Sequence, residues 1–413
     1  MGFKVIVVGA GPVGLVLAHA LQASGIDYVL VEQRRQVPQS QLMIMRILHQ
    51  LGLLDVVSAV GQPMLRAIHR SMDGQVLHEE EGFQKLGVIR LDFALTLLNA
   101  LHNKEERVKV NKRLSKITQD KKGVRVEFAD GTIEEGSIVV GADGVWSSVR
   151  DQMVAQAPKG LFDETVNPFE ATHAGVFAKL DLDPRLEPGR NINVYQEDSH
   201  VQVFTNKNEA MIIVYHRIPA ERKRTYFGQN DAEEAAKPWL DVCVGEGLTF
   251  GDLWRKKTAG GTANYDEGVL PFWHWGRMVL VGDAVHKMNP IRGAGACCGI
   301  EDSIALVNFL KRALRSNPDP TFFELSQAFI AYQHEREGAA KLWMEISRLN
   351  LELCIGPHQP ALKAASIADV KFLPLVADGP ILNGLPFEEM VGLIPWTRKV
   401  KGKKRDEEAK AKL

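Results

Sequence analysis

The sequence predicts an α/β fold in which a domain built on a parallel sheet is interrupted by an antiparallel β-sheet domain and finished by long helices. Three observations predict it. Short, almost wholly apolar runs at Lys4–Val8, residues 28–31 and residues 278–281 have the texture of buried parallel strands. In the middle third, residues 171–180, 191–195, 200–205 and 210–216 alternate along short runs separated by polar or Pro/Gly segments, as antiparallel strands do. Beyond Ile300, apolar side chains recur at helical spacing to Leu314 and again from Phe322 to Leu353.

Taken in order, Lys4–Val8 is β-branched and ends on Gly9. From Gly14, the positions Leu15, Leu17, Ala18 and Leu21 mark a helix that Gly25 stops. Residues 28–31 form a second strand closing on Glu32, which completes one right-handed strand–helix–strand crossover. A helical stretch near 44–57, a strand turning at Asp73-Gly74 and a helix over 92–101 follow. Residues 124–128 and 132–140 flank Asp130-Gly131 and read as a hairpin running into a buried strand. The chain thus divides into a first nucleotide-binding part over 1–165, with 64–82 a candidate to join the second sheet. A β-rich substrate domain covers 166–270, the first domain resumes with long helices over 271–356, and a Pro- and Gly-rich extension fills 357–413.

Composition narrows the function classes. The 413 residues carry a formal net charge of −1, so no global basic field points to nucleic acid. The basic run 399–405 lies in a tail of mixed charge and reads as a solvated terminus. No signal peptide is evident and no run of 18 apolar residues exists, so no membrane span is expected. Four cysteines in no zinc spacing, two of them adjacent (Cys297 and Cys298), argue against a disulfide framework. A reducing, cytoplasmic setting follows as the expectation. Nothing marks an obligate protein partner.

The chemistry sits in three segments. Gly9-Ala10-Gly11-Pro12-Val13-Gly14 is a G-x-G-x-x-G between a strand and a helix. Gly9 permits the tight turn, Gly11 lets backbone approach a diphosphate, and Gly14 lets helix pack on strand. The diphosphate then faces the free N–H groups and the dipole of a helix start. Glu32, 18 residues after Gly14, is placed to bind both ribose hydroxyls of an adenosine, which disfavours a 2′-phosphate and suits FAD or NAD. In the second segment, Gly141-Ala142-Asp143-Gly144, and in the third, Gly282-Asp283 followed by Gly293-Ala294-Gly295-Ala296, an apolar strand runs into a carboxylate. A carboxylate there accepts hydrogen bonds from a polyol, while the glycines offer backbone N–H groups to a ring edge or phosphate.

In this order and spacing, the three segments resemble the group A flavoprotein monooxygenases of the aromatic hydroxylase type, across residues 4–301. The phrase Gly282-Asp283-Ala284-Val285-His286-Lys287-Met288-Asn289-Pro290 is most similar to the fungal secondary-metabolism branch, which oxidises indole alkaloids, meroterpenoids and polyketide phenols. The resemblance implies a Rossmann-like FAD-binding domain in which Glu32 binds ribose, Asp283 contacts the ribityl and diphosphate part, and Gly293, Gly295 and Ala296, beyond Pro290, donate to the isoalloxazine. Val88-Ile89-Arg90-Leu91-Asp92 is similar to a family segment whose arginine lies against the flavin chain, which gives Arg90 that role. Asp143 falls in a segment linked in the family to both FAD and reduced nicotinamide. Two departures stand out: Cys297 follows Gly293–Ala296 where relatives often carry Asn, and residues 33–46 form a shorter segment than usual beside the flavin.

The reaction that the resemblance implies uses NADPH or NADH and O₂, through a flavin C4a-hydroperoxide, to hydroxylate or epoxidise a hydrophobic aromatic or alkene substrate, an indole alkaloid among the candidates. Such chemistry needs no protein nucleophile, only a hydrogen-bond donor and exclusion of water. Arg190 and Tyr215 are the candidate donors, with Tyr195 beside them, while His286 reads as a brace for the Gly-Asp loop. Trp273-His274-Trp275 and Cys297-Cys298 read as packing, against a halogenase W-x-W and a redox pair respectively. A flavin-dependent reductase or dehydrogenase of the geranylgeranyl reductase type is the competing enzyme class, and a protein that only binds or senses FAD is the non-enzymatic one.

Overall fold

Strands apolar on both faces must be covered on both, and that requirement organises the chain. A computed structural model describes residues 2–34, 45–161, 169–218, 231–356 and 381–383. The first layer is a six-stranded sheet. Its members are β1 (Lys4–Val8), β2 (Asp27–Val31), β5 (Val108–Lys109), β6 (Ile138–Gly141), β12 (His274–Trp275) and β13 (Met278–Leu280), in the spatial order β12-β13-β6-β1-β2-β5. All pairings are parallel except β12 with β13. Val5, Ile6, Val7, Val139, Val140 and Val279 are fully buried, as the two-sided cover demands. That cover comes from α1 (Pro12–Ala23), from α2 (Ser148–Gln156) and from a small sheet of Leu114–Gln119, Val124–Phe128 and Ile133–Gly136.

The second layer is an eight-stranded sheet. It contains β3 (Gln62–Ser71), β4 (Val76–Gly87), β7 (Glu170–Asp181), β8 (Arg190–Gln196), β9 (Ser199–Thr205), β10 (Glu209–Arg217), β11 (Lys257–Val269) and β14 (His286–Lys287), ordered β14-β11-β7-β10-β9-β8-β3-β4. Pairing is antiparallel except that β8 runs parallel to β3. The 64–82 segment therefore lies within this sheet. On the outer face, Ile192, Val194, Val203, Ile212 and Val214 pack with Trp239, Phe250 and Trp254. Two helices complete the chain: α3 (Ala294–Ser316) and α4 (Phe322–Ile355).

The helix expected from Ile300 begins six residues sooner, at Ala294. Its first turns hold Gly295 and Gly299, which give no apolar periodicity but permit close packing. A Cβ at Gly299 would stand 2.8 Å from the Gly282 Cα, and one at Gly14 only 2.0 Å from the Gly9 carbonyl oxygen. Both helices are therefore pressed onto strand ends by absent side chains. Residues 35–44 of the 33–46 segment lie outside the described residues, as does 357–413 apart from residues 381–383.

A buried ion network fastens α4 to α3. Arg336, 4% exposed, donates from Nε to Asp302 Oδ1 at 2.9 Å and from Nη2 to Glu301 Oε2 at 2.7 Å. Asp302 also accepts from the Gly282 N–H at 3.1 Å and bonds His286 Nε2 at 2.5 Å. Burial works against the imidazolium, but Cys298 and the Asp302 carboxylate outweigh it and hold His286 above the ordinary histidine range. Trp273 packs its ring 5.6 Å from His286 and 5.5 Å from Tyr332, so the W-x-W segment is packing at this junction.

Two stability predictions follow from this packing. Gly14→Ala must push α1 off β1 and should cost ~1–3 kcal/mol or more, seen as a lower urea midpoint. Gly11→Ala, whose Cβ meets nothing within 4 Å, should stay within ~1 kcal/mol of the parent. Arg336→Met leaves the buried Glu301 without its cation and Asp302 with His286 alone, and should lose ~3–5 kcal/mol in the same measurement; an unchanged midpoint would show the network to be energetically idle.

Candidate active site

The carboxyl ends of β1, β6 and β13 point to one place, the position where open parallel sheets hold ligands. There the chain leaves the sheet at Gly9, at Ala142-Asp143 and at Gly282-Asp283. They form one wall of a cleft of about 660 Å³, and the second sheet forms the other. Gly9 takes φ +106° because its Cα lies against the Ala142 carbonyl, where a Cβ would be 2.4 Å from the oxygen. Gly11 opens onto the cleft with nothing near it.

Three acids line this wall. Glu32 is 6% exposed and accepts the Ala10 N–H on one oxygen and the Arg34 N–H on the other, both at 2.9 Å. That fixes the carboxylate while leaving lone pairs toward the cleft. Asp143 Oδ2 accepts the Val149 N–H at 3.2 Å, but its buried Oδ1 has no hydrogen-bond partner. Burial pushes the Asp143 pKa up to about 6, against hydrogen bonds from Ser147 and Val149 that lower it. Asp283 follows Gly282 in a short turn and is ion-paired to Lys287.

Pro290, Gly293, Gly295 and Ala296 line the cleft as well. Gly293 takes φ +66° and turns the chain into α3, so the helix start faces the cleft. His286 lies behind this loop, fully buried. His286, Cys298 and Asp302 bring nitrogen, sulfur and oxygen within 4.8 Å, a spacing that suits a metal. The Arg336 guanidinium, 3.5 Å from the Cys298 sulfur, already supplies the positive charge there, so the cluster is a charge-compensated brace. Cys297 and Cys298 are both free thiols. Arg90 opens the helix Arg90–Ala100 at the edge of the cleft-lining pair Val88 and Ile89, and its side chain lies outside the described residues.

The expected catalytic donors need correction. Arg190 shares the strand face of Ile192 and Val194, the outer face of the sheet, and pairs with Glu187. It points away from the cleft. Tyr215 is on the inner face but one step beyond the lining residues, fully buried beneath Leu351, Cys354 and Ile355 of α4. Its hydroxyl donates to Gln202 Oε1 at 3.1 Å, and burial pushes its pKa well above the usual phenol range. Tyr195 is buried likewise, bonded to His69 Nδ1 at 2.7 Å. The residues that reach the cleft from this sheet include Met64, Phe177, Phe204, Met211, Ile213 and Tyr265, with Lys179 and Glu209 paired at 2.5 Å. Sequence reasoning missed them because both faces of these strands are apolar, so alternation gives the faces without saying which meets the cleft.

FAD fits this wall. Gly11 leaves room for a diphosphate beside a helix start without a capping side chain, Glu32 stands one strand away for a ribose, and the unpartnered Asp143 Oδ1 awaits a hydroxyl. Comparison with known proteins agrees. Residues 2–346 match the family described as FAD binding domain. The chain is 35% identical to the FAD-dependent monooxygenase spyC of Aspergillus fumigatus, over 77% of this chain and 72% of that one. It is 32% identical to the FAD-dependent monooxygenase srdH of Neurospora crassa, over 97% of this chain and 100% of that one. Among solved structures, HpxO of Klebsiella pneumoniae complexed with FAD and uric acid is similar at TM-score 0.70 and 18% identity, covering 91% of this chain and 95% of that one. A salicylate hydroxylase substrate complex is similar at TM-score 0.70 and 21% identity, covering 89% and 93%. At such identities these two likenesses show the fold alone. The relatives and the cleft together establish that this chain belongs to the FAD-dependent monooxygenases, oxidoreductases whose cofactor is FAD.

Proposed function

We propose that the protein uses NADPH or NADH and O₂ to hydroxylate or epoxidise a hydrophobic aromatic or alkene substrate of secondary metabolism, with indole alkaloids a class to try first. The observation that carries this reading is the contrast between the two walls of the cleft. One wall presents backbone donors and carboxylates, suited to the cofactor. The other presents Met64, Phe177, Phe204, Met211 and Ile213 beside the Lys179–Glu209 ion pair, a largely apolar and aromatic surface suited to a flat, oily substrate.

FAD supplies the redox chemistry when bound, taking electrons from the nicotinamide and activating O₂ for transfer of one oxygen atom. The chain supplies everything else. Glu32 and Asp143 hold hydroxyls, the starts of α1 and α3 hold anionic and ring-edge groups, and the apolar wall orients the substrate and excludes water. With Arg190 and Tyr215 outside the cleft, the backbone N–H groups of the cleft-lining turn Gly293–Ala296 are the candidate donors. No helix among the described residues is long and apolar enough to cross a membrane. All four cysteines are free thiols, which supports a reducing, cytoplasmic setting.

Purified protein with NADPH, ¹⁸O₂ and candidate indoles or phenols should give product one labelled oxygen atom heavier. A product of altered hydrogen content without label would replace this reading with a reductase. Asp143 gives a second test. A cofactor hydroxyl donated to its carboxylate favours the ionised form, so binding expels a proton wherever the acid is protonated. FAD affinity should therefore rise with pH up to about 6 and level off above. The stability of the apoprotein runs the other way. The raised pKa gives a contribution fully present below about 4 and lost as pH rises through about 6. Asp143→Asn should flatten both profiles; an unaltered affinity profile would remove Asp143 from the cofactor site.

A further inference from the structure

We propose that Lys287 is the counter-cation for the diphosphate of bound FAD, positioned for that role by Asp283 and by its place on a fixed strand. The proposal rests on FAD as the cofactor, as argued above.

Electrostatic bookkeeping raises the need for it. A diphosphate diester brings about two negative charges into a wall already lined by Glu32, Asp143 and Asp283. Facing it, α1 and α3 each begin on a glycine with no side-chain cap, and each supplies roughly half a positive charge at its start. Two such half charges do not balance the diphosphate, let alone the three acids. A cation at this place would offset part of the remaining negative charge.

Among the described residues, the cleft-lining cations are Arg34, Lys112, Lys179 and Lys287. Arg34 and Lys112 stand at the ribose end, where the Arg34 N–H bonds the Glu32 carboxylate and the Lys112 N–H donates to the Glu32 carbonyl at 2.8 Å. Lys112 Nζ is turned to Asp130 and Thr132. Lys179 lies on β7, inside the second sheet and not at its edge beside the cofactor wall, and pairs with Glu209. Lys287 alone of the four is tied to the carboxylate that sits between the two helix starts. Its Nζ bonds Asp283 Oδ2, and Asp283 Oδ1 lies 3.7 Å from where a Gly295 Cβ would stand. Asp283 is preceded by Gly282, which packs on Val13 in the first turn of α1. The Lys287 ammonium therefore hangs at the seam between α1 and α3, with a quarter of its side chain open to solvent.

Its backbone is held as firmly as its charge. Lys287 pairs with Gly268 at the edge of the second sheet, and Asn289, two residues on, donates to Glu267 Oε1 at 2.5 Å. A lysine mounted on paired strand, steered by a neighbouring carboxylate, reaches a phosphate with little entropy left to lose.

The test compares flavins with and without the diphosphate, using apoprotein of the parent, Lys287→Met and Lys287→Arg, titrated with FAD and with riboflavin by flavin fluorescence. Lys287→Met should weaken FAD about tenfold or more while leaving riboflavin within about twofold, and Lys287→Arg should restore most of the FAD affinity. Raising NaCl should weaken FAD binding by the parent more steeply than by Lys287→Met, a readout that stands even where riboflavin binds too weakly to measure. Equal losses for FAD and riboflavin, or unchanged FAD affinity with an unchanged salt slope, would overturn the assignment. A parent protein that bound no FAD would overturn the cofactor reading and the proposal with it.

Discussion

The approach of bare backbone to bare backbone is the constraint on which the rest depends. Gly9 lies against the Ala142 carbonyl, Gly14 against the Gly9 carbonyl, and Gly299 against Gly282. A single methyl group at any of these contacts would meet an atom at 2.0 to 2.8 Å, inside van der Waals contact. These contacts bring two helix starts and three strand ends to the same few ångströms of space. Nothing about the cleft's electrostatics would survive a displacement of α1 by one side chain, because dipolar help fades within the first turn.

Burying four charged groups behind such a cleft is costly, and the reason lies in what they join. Arg336 comes from α4, Asp302 and Glu301 from α3, and His286 from the loop that carries Asp283. In low dielectric each ion demands its partner, so the three elements hold one relative position or pay heavily for another. A hydrophobic junction would tolerate sliding. This one fixes the register of the loop between Asp283 and Gly293, whose backbone faces the cleft, by tying the residues on either side of it.

The cofactor wall was legible in the sequence and the opposite wall was not, for a physical reason. Diphosphate and ribose are recognised by backbone geometry and a few acids, and geometry of that kind leaves glycines and a Glu at fixed spacing, as at Gly9, Gly11, Gly14 and Glu32. A strand buried on both sides leaves only alternation. Ile212 and Val214 alternate with Met211 and Ile213, and nothing local says that the second pair meets the cleft. Arg190 failed for the same reason: its register against Arg66 decides its face, and that register is set by β3, over a hundred residues earlier. The start of α3 was hidden differently. Gly293, Gly295 and Gly299 read as loop, although tertiary packing makes two of them helix.

This division of labour explains how one scaffold serves different substrates. The cofactor wall works through main chain, so side chains facing away from it can drift without disturbing the diphosphate site. The substrate wall works through side chains on a sheet whose hydrogen-bonded ladder is indifferent to them. Exchanging Phe177, Phe204 or Met211 reshapes the cleft while the eight-stranded ladder stays in register. Lys287 is where the two walls touch. It sits on the edge strand of the substrate sheet yet bonds an acid of the cofactor wall. A change of packing along that sheet edge can thus reach the opposite wall through one ion pair, which makes this seam the place where the two walls are coupled.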